Sequence, residues 1–234
     1  MVLFGTIVNG LAIVVGALIG VRLKHFSPSM QETVMKGIGL AVLVLGFSMA
    51  LEGTNMLYVI ISLAIGSVIG ERISIEGKLN ELGGYMERKW KRNENDRLSE
   101  GFVAATLLYV VGAMAIIGAL DSGFRQDHSV LLTKSMLDGF SAIIFSATLG
   151  IGVLFSAIPV VLYQGSIALA ATLIIQWIPE ELLQLFIAEL TAVGGVMIIG
   201  IATNLLGITS IRVANMLPAI PVIIFLVLLQ SSFF

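Results

Sequence analysis

The chain has 234 residues, of which 57% are hydrophobic and 12% are charged, with a net charge of −2 and a mean hydropathy of +1.02. Soluble domains carry about 25% charged residues, so this composition excludes an ordinary soluble domain and indicates an integral membrane protein in a lipid bilayer. The small net charge gives no basis for nucleic-acid binding. Because there are no Cys and only two His residues, disulfides and Cys-ligated zinc are excluded, and we expect no metal site and no cofactor.

Apolar runs fill most of the chain, and roughly 20 helical residues suffice to cross a bilayer. The first run is followed by Arg22 and Lys24 and has no cleavage pattern, so we expect a retained helix and not a signal peptide. The fifth and sixth runs are separated only by residues 156–159, which leaves open a tight hairpin or one long broken element. The pattern predicts an all-α polytopic protein of about eight transmembrane helices, at about residues 2–21, 34–51, 56–70, 102–120, 139–155, 159–177, 182–204 and 213–229.

A polar segment, residues 71–100, interrupts the apolar runs and holds seven of the thirteen Lys and Arg and seven of the fifteen Asp and Glu. Its apolar residues recur every three or four positions, which predicts an amphipathic helix in the headgroup plane. The basic residues that we expect to face lipid at the cytoplasmic surface are Arg88, Lys89, Lys91 and Arg92. This helix either contacts anionic lipid, acts as a gating lever, or simply connects spans.

The distribution of positive charge predicts the orientation, because Lys and Arg concentrate on the cytoplasmic side. With residues 71–100 inside and eight spans, eleven of the thirteen basic residues lie inside, and only Arg125 and Lys134 lie outside. Both termini are then outside.

Two stretches of the chain repeat each other when Gly5 is aligned with Gly101, which brings residues 14–17, Val-Val-Gly-Ala, onto the same letters at 110–113. We therefore predict three-span repeats at 1–70 and 101–177, joined by the linker 71–100 and followed by two spans in 178–234. The charge argument gives the repeats opposite orientations, which is typical of secondary transporters with a site between the repeats. The alternative is two similar glycine-rich packing helices without symmetry.

Small residues at four-residue spacing predict close helix packing. Two segments share this pattern and end in an arginine, one with Gly16 and Gly20 and the other with Gly66 and Gly70, and Gly112 belongs to the repeated segment. Glycine-rich faces of this kind also favour a homo-oligomer.

No catalytic motif is present in the sequence: there is no HExxH, no GxSxG and no Walker loop, so we do not expect an enzyme. Polar residues within spans are the better candidates, because burying them in hydrocarbon is costly. Glu189 is the predicted coupling or electrostatic group, unless it lies near water on an interfacial helix. Lys134 and Asp138, at the head of the fifth predicted span, flank an outer entrance or anchor the helix at the interface. The predicted polar lining of a substrate or ion site comprises Asn9, Gln164, Ser166, Asn204 and Asn215.

Several segments together resemble the DUF554 family of bacterial membrane proteins. They cover nearly the whole chain and include residues 101–108, 111–118, 132–139, 150–159, 163–166, 194–195, 204–207 and 215–218. The resemblance implies a multi-pass protein of the bacterial cytoplasmic membrane and supplies no catalytic residues.

Three functions remain open on the sequence. The leading hypothesis is a secondary carrier of a small solute or ion, with Glu189 and the polar lining residues at its site. The second is a passive channel, and the third is a non-transporting scaffold or regulator that acts through the helix in residues 71–100.

Overall fold

The computed structural model describes residues 1–22, 28–78, 81, 98–110 and 113–233, and all regular structure in these residues is helical. This confirms the predicted all-α class. In chain order the helices are α1 (Phe4–Arg22), α2 (Pro28–Ala50), α3 (Met56–Ile73), α4 (Leu98–Val110), α5 (Ala113–Phe124), α6 (Ser129–Leu149), α7 (Gly152–Phe155), α8 (Ala157–Trp177), α9 (Glu180–Leu205), a 3-10 helix (Val213–Met216) and α10 (Ala219–Phe233).

Seven helical segments of the described residues are each long and apolar enough to cross a membrane, and α4 and α5 pass the same test only together. These two helices follow α6 along its length. Gly101 of α4 lies against Leu149 at the end of α6, whereas Gly118 of α5 lies against Leu131 near its start. The described residues therefore contain seven candidate spans, or eight if α4 and α5, which are bent by 57° relative to each other, form one span.

The fifth span differs from its prediction, because α6 begins at Ser129 and not at Gly139. Lys134 and Asp138 therefore lie within α6, a candidate membrane span, and not ahead of the span as the predicted bounds place them. The reason is their spacing: residues four apart on a helix share a face, so their charges neutralise each other inside the protein. Their role at an entrance or at the interface stays a prediction.

The open question about the fifth and sixth spans is answered by Asn9 of α1, which contacts both Asp138 of α6 and Gln164 of α8. The chain must fold back between these two residues, so the spans form a hairpin. Gly150 ends α6 at a φ of 85°, in the left-handed region that glycine adopts without strain, and the short α7 follows.

The helices group into two compact units. Unit 1 comprises Met1–Gln31 and Asn80–Trp177, and unit 2 comprises Glu32–Leu79 and Ile178–Phe234. Each unit takes helices from both halves of the chain. The repeats at 1–70 and 101–177 remain a prediction.

In unit 1, α1 runs parallel to α6 at backbone contact. Any side chain at Gly16 would overlap the carbonyl oxygen of Gly139, and any at Gly20 would overlap that of Ile143. Helix α8 runs antiparallel to α1, with Val161 occupying the space beside Gly10. These directions are the ones that a threading of eight spans requires.

In unit 2, glycines mark the closest helix contacts. Gly195 of α9 lies against the end of α2, and Gly66 and Gly70 of α3 lie against Ala219 and Asn215. The glycines at 16, 20, 66 and 70 thus all lie at helix contacts, as their spacing predicts, while Gly112 lies outside the described residues.

Candidate functional site

A cluster of polar side chains lies within unit 1, where α1, α6 and α8 meet. Asn9 and Gln164 are 0% exposed, and Lys134 and Asp138 are 7% and 5% exposed. Lys134 Nζ lies 3.0 Å from Asp138 Oδ1. Asn9 Nδ2 donates to Asp138 Oδ2 at 3.0 Å and to Gln164 Oε1 at 3.3 Å. The four side chains, which we call the polar cluster, thus form one continuous network.

The local sequence explains how the short Asn9 side chain reaches two other helices. Gly16 of α1 allows backbone contact with α6, and Gly10, beside Asn9, receives the Val161 side chain of α8. Small residues bring helix backbones close together, so one amide on α1 can bridge both neighbours.

Three buried polar atoms of this region have no hydrogen-bond partner among the described residues: Thr6 Oγ1, Asn9 Oδ1 and Gln164 Nε2. Thr6 lies on the same face of α1 as Asn9 and packs beside Gly165, the neighbour of Gln164. Each unpaired buried group costs about 1–3 kcal/mol, so three of them in one place require an explanation. Buried water or a bound ligand can satisfy them.

Two members of the polar cluster lie near the middle of their spans, whereas Asn9 and Lys134 are each the sixth residue of their helix. Asp138 is close to the centre of Ser129–Leu149, and Gln164 is close to the centre of the span Gly152–Ile174. Ionisable residues at such depth are costly and mark ion or substrate paths. The arrangement can bind a small polar or charged species through hydrogen bonds and ion pairing.

An open groove of about 390 Å³ lies on the neighbouring surface between α1 and α8. Ile7 and Leu11 line it from α1, and Ile158 and Leu162 line it from α8. Its lining is apolar, so it does not extend the polar cluster.

Glu189, the predicted coupling group, lies in unit 2 and is 1% exposed. Its Oε1 accepts hydrogen bonds from Thr54 N at 2.8 Å, Thr54 Oγ1 at 2.6 Å and Asn55 N at 2.8 Å, whereas its Oε2 has no partner. The carboxylate therefore connects α9 to the turn between α2 and α3. Its role in coupling stays a prediction.

Asn204 and Ser166 make local contacts. Asn204 Oδ1 accepts from Ile211 N at 2.8 Å and from Thr209 Oγ1 at 2.8 Å, and Nδ2 donates to Ile211 O at 2.7 Å, so the amide closes the loop after α9. Ser166 is exposed and donates to Tyr163 O of its own helix at 2.8 Å.

Asn215 lies where the 3-10 helix meets the end of α3. Its Oδ1 accepts from Glu76 N at 2.8 Å, and its Nδ2 donates to Glu71 Oε2 at 2.6 Å. Arg212 pairs with Glu71 beside it.

Of the five predicted lining residues, the structure therefore brings only Asn9 and Gln164 together. Sequence reasoning missed Lys134 and Asp138 as site residues, although a Lys and an Asp four residues apart in an apolar stretch were the available signal. The basic residues Arg88, Lys89, Lys91 and Arg92 lie outside the described residues.

Comparison with known proteins supports the resemblance. A family model described as "Protein of unknown function (DUF554)" matches residues 4–228. The uncharacterized membrane protein YdfK of Bacillus subtilis (strain 168) is 31% identical over 233 residues, which cover 96% of this chain and 97% of that protein. The uncharacterized protein YqgA of Escherichia coli (strain K12) is 29% identical over 221 residues, 92% of each chain. No solved structure matches.

Proposed function

This chain belongs to the DUF554 family, and we propose that it is a secondary carrier that moves a small solute or ion through the polar cluster of unit 1. The observation that carries the proposal is the buried Lys134–Asp138 pair within α6, joined to Asn9 and accompanied by three buried polar atoms without a partner among the described residues. Burying this charged pair in hydrocarbon costs free energy, and binding of a transported ion or solute accounts for its presence there.

The nature of the contacts supports a carrier. All members of the polar cluster bind one another through side chains on three helices, and side chains exchange partners by rotation. The complete burial of Asn9 and Gln164 also supports a carrier over an open channel, because a carrier closes its site between openings.

The proposal includes the setting of the site. The protein lies in the bacterial cytoplasmic membrane with both termini outside and residues 71–100 inside, and its two three-span groups have opposite orientations, as in many secondary transporters. It is not an enzyme, and its glycine-rich faces support a homo-oligomer.

A thermal-shift screen of the purified protein against ions and small polar solutes tests the proposal, because a ligand of the folded state raises the melting temperature. The decisive variant is Lys134→Gln/Asp138→Asn, which removes both charges with little change in shape. The matched control is Glu32→Gln/Lys36→Gln, a pair at the same spacing whose side chains are 67% and 57% exposed.

We expect a selective shift that the first double variant loses and the control keeps, and saturable uptake of the same ligand into proteoliposomes. Unitary currents through the wild-type protein would show that it is a channel and not a carrier. A screen with no shift, together with no uptake of any tested solute, would leave the scaffold hypothesis.

A further inference from the structure

We infer that the polar cluster binds a monovalent alkali cation at Asp138, in place of the Lys134 ammonium. This inference rests on the proposed function and specifies what its site takes.

The oxygen atoms around Asp138 suit such an ion, because hard cations bind oxygen ligands. Asp138 Oδ2 and Gln164 Oε1 both accept from the Asn9 amide, and Asp138 Oδ1 accepts from Lys134. Rotation of the Asn9 amide about its terminal torsion, which is soft, presents Oδ1 in place of Nδ2. Oδ1 of Asn9 and Oγ1 of Thr6 have no partner in the structure, so they are free to coordinate.

The charge of the site favours a monovalent ion. It contains one carboxylate, and among the described residues no group of three or more His, Asp or Glu is placed to hold a metal ion. The single negative charge of Asp138 balances one positive charge, and the Lys134 ammonium supplies that charge at 3.0 Å.

Lys134 and a bound cation must exclude each other, because two positive charges beside one carboxylate leave an uncompensated charge in a medium of low dielectric constant. Lys134 lies one helical turn nearer the start of α6 than Asp138, and a long lysine side chain can extend toward the end of a membrane helix. Lys134 is therefore a tethered competitor that leaves Asp138 when the ion arrives.

The packing of the cluster favours an ion over an organic solute. Thr6, Asn9 and Gln164 are each 0% exposed and lie between closely packed helices. A dehydrated ion fits between these side chains after they rotate, whereas an organic solute requires the helices to separate.

Binding of radioactive Na⁺ to the purified full-length protein tests the inference, with Li⁺, K⁺ and Rb⁺ as competitors. We expect Lys134→Gln to bind Na⁺ about tenfold or more tightly than the wild type, because the competing charge is gone. Adding Asp138→Asn to that variant should abolish binding.

A second pair of variants covers the case in which Lys134→Gln does not fold. Thr6→Val removes a hydroxyl that has no partner, so we expect it to fold normally and to bind Na⁺ several-fold more weakly. Thr191→Val is the matched control, since Thr191 Oγ1 is also buried and unpaired but lies in unit 2, and it should leave the affinity unchanged.

The inference is wrong if folded Lys134→Gln binds none of the four ions, if binding survives Asp138→Asn, or if Thr6→Val and Thr191→Val bind alike. The proposed function fails separately, when Lys134→Gln/Asp138→Asn still takes up every solute that the wild type transports. Uptake of an organic solute that this double variant loses, without any cation binding, would overturn the inference and leave the carrier in place.

Discussion

Each unit of the molecule contains a buried carboxylate within a candidate membrane helix, but the two acids have different partners. Asp138 of unit 1 binds the side chains of Lys134 and Asn9. Glu189 of unit 2 receives two of its three hydrogen bonds from backbone N–H groups of the turn between α2 and α3. Backbone donors cannot leave without opening the turn, whereas side chains can rotate.

Burial and charge of a carboxylate within a helix are therefore not enough to identify a transport site. Glu189 fits the role of a fixed connection between α9 and the α2–α3 turn, and Asp138 fits that of an exchangeable ligand. Four predictions test this difference, in order of the expected effect.

The largest effect should come from Asp138→Asn alone. It leaves the buried Lys134 charge without its partner, and breaking one half of a buried ion pair costs about 3–5 kcal/mol. The double variant Lys134→Gln/Asp138→Asn should recover most of the melting temperature in detergent, although uptake is lost in both. Equal stability of the single and double variants would show that the Lys134 charge does not depend on Asp138 for compensation.

Glu189→Ala should destabilise the protein by about 3 kcal/mol, because three donors of the turn lose their acceptor. Glu189→Gln keeps one oxygen and should cost less. Uptake per folded molecule should stay at the wild-type level in both variants. Loss of uptake in a Glu189→Gln protein with normal melting temperature would instead make Glu189 a coupling group.

Gly20→Ala should cost about 1–3 kcal/mol, because the added carbon overlaps the Ile143 carbonyl of α6. Gly70→Ala should cost a similar amount in unit 2, where it overlaps the Asn215 carbonyl. Only Gly20→Ala should also weaken ligand binding, since it separates the helices that carry Asn9 and Asp138. Thermal unfolding and the binding assay measure the two effects.

Gly37→Ala is the control for both glycine variants, because nothing lies within 4 Å of a Cβ at that position. It should be neutral or should stabilise the helix by up to about 1 kcal/mol. A loss of stability as large as that of Gly20→Ala would remove helix contact as the explanation.

The smallest effect should come from Arg212→Gln, which breaks an ion pair with Glu71. The two side chains are 65% and 57% exposed, and exposed pairs contribute about 1 kcal/mol or less. Neither uptake nor melting temperature should change appreciably, and raised salt should remove what difference remains. A large loss of uptake would extend the functional site into unit 2.

The sequence predicted the helical class and the glycines at helix contacts, because hydropathy and small-residue spacing are local properties. The start of α6 was missed for the same reason. In the hydropathy pattern the charged pair interrupts an apolar run, although the charges of Lys134 and Asp138 neutralise each other inside the protein.

The composition of the site depended on contacts between distant parts of the chain. Asn9, Gln164, Asn204 and Asn215 are all amides within three residues of a glycine or proline, so local sequence does not distinguish them. Only the packing of α1 against α6 and α8 brings the first two to Asp138, while the other two bond to nearby backbone or to the end of α3.

Uptake into proteoliposomes by three proteins tests the central claim most directly: the wild type, Lys134→Gln/Asp138→Asn and Glu189→Gln, each with the ligand found in the thermal-shift screen. We predict saturable uptake by the wild type and by Glu189→Gln, and none by the double variant. Uptake retained by the double variant and lost in Glu189→Gln would contradict the account and place the transport site in unit 2.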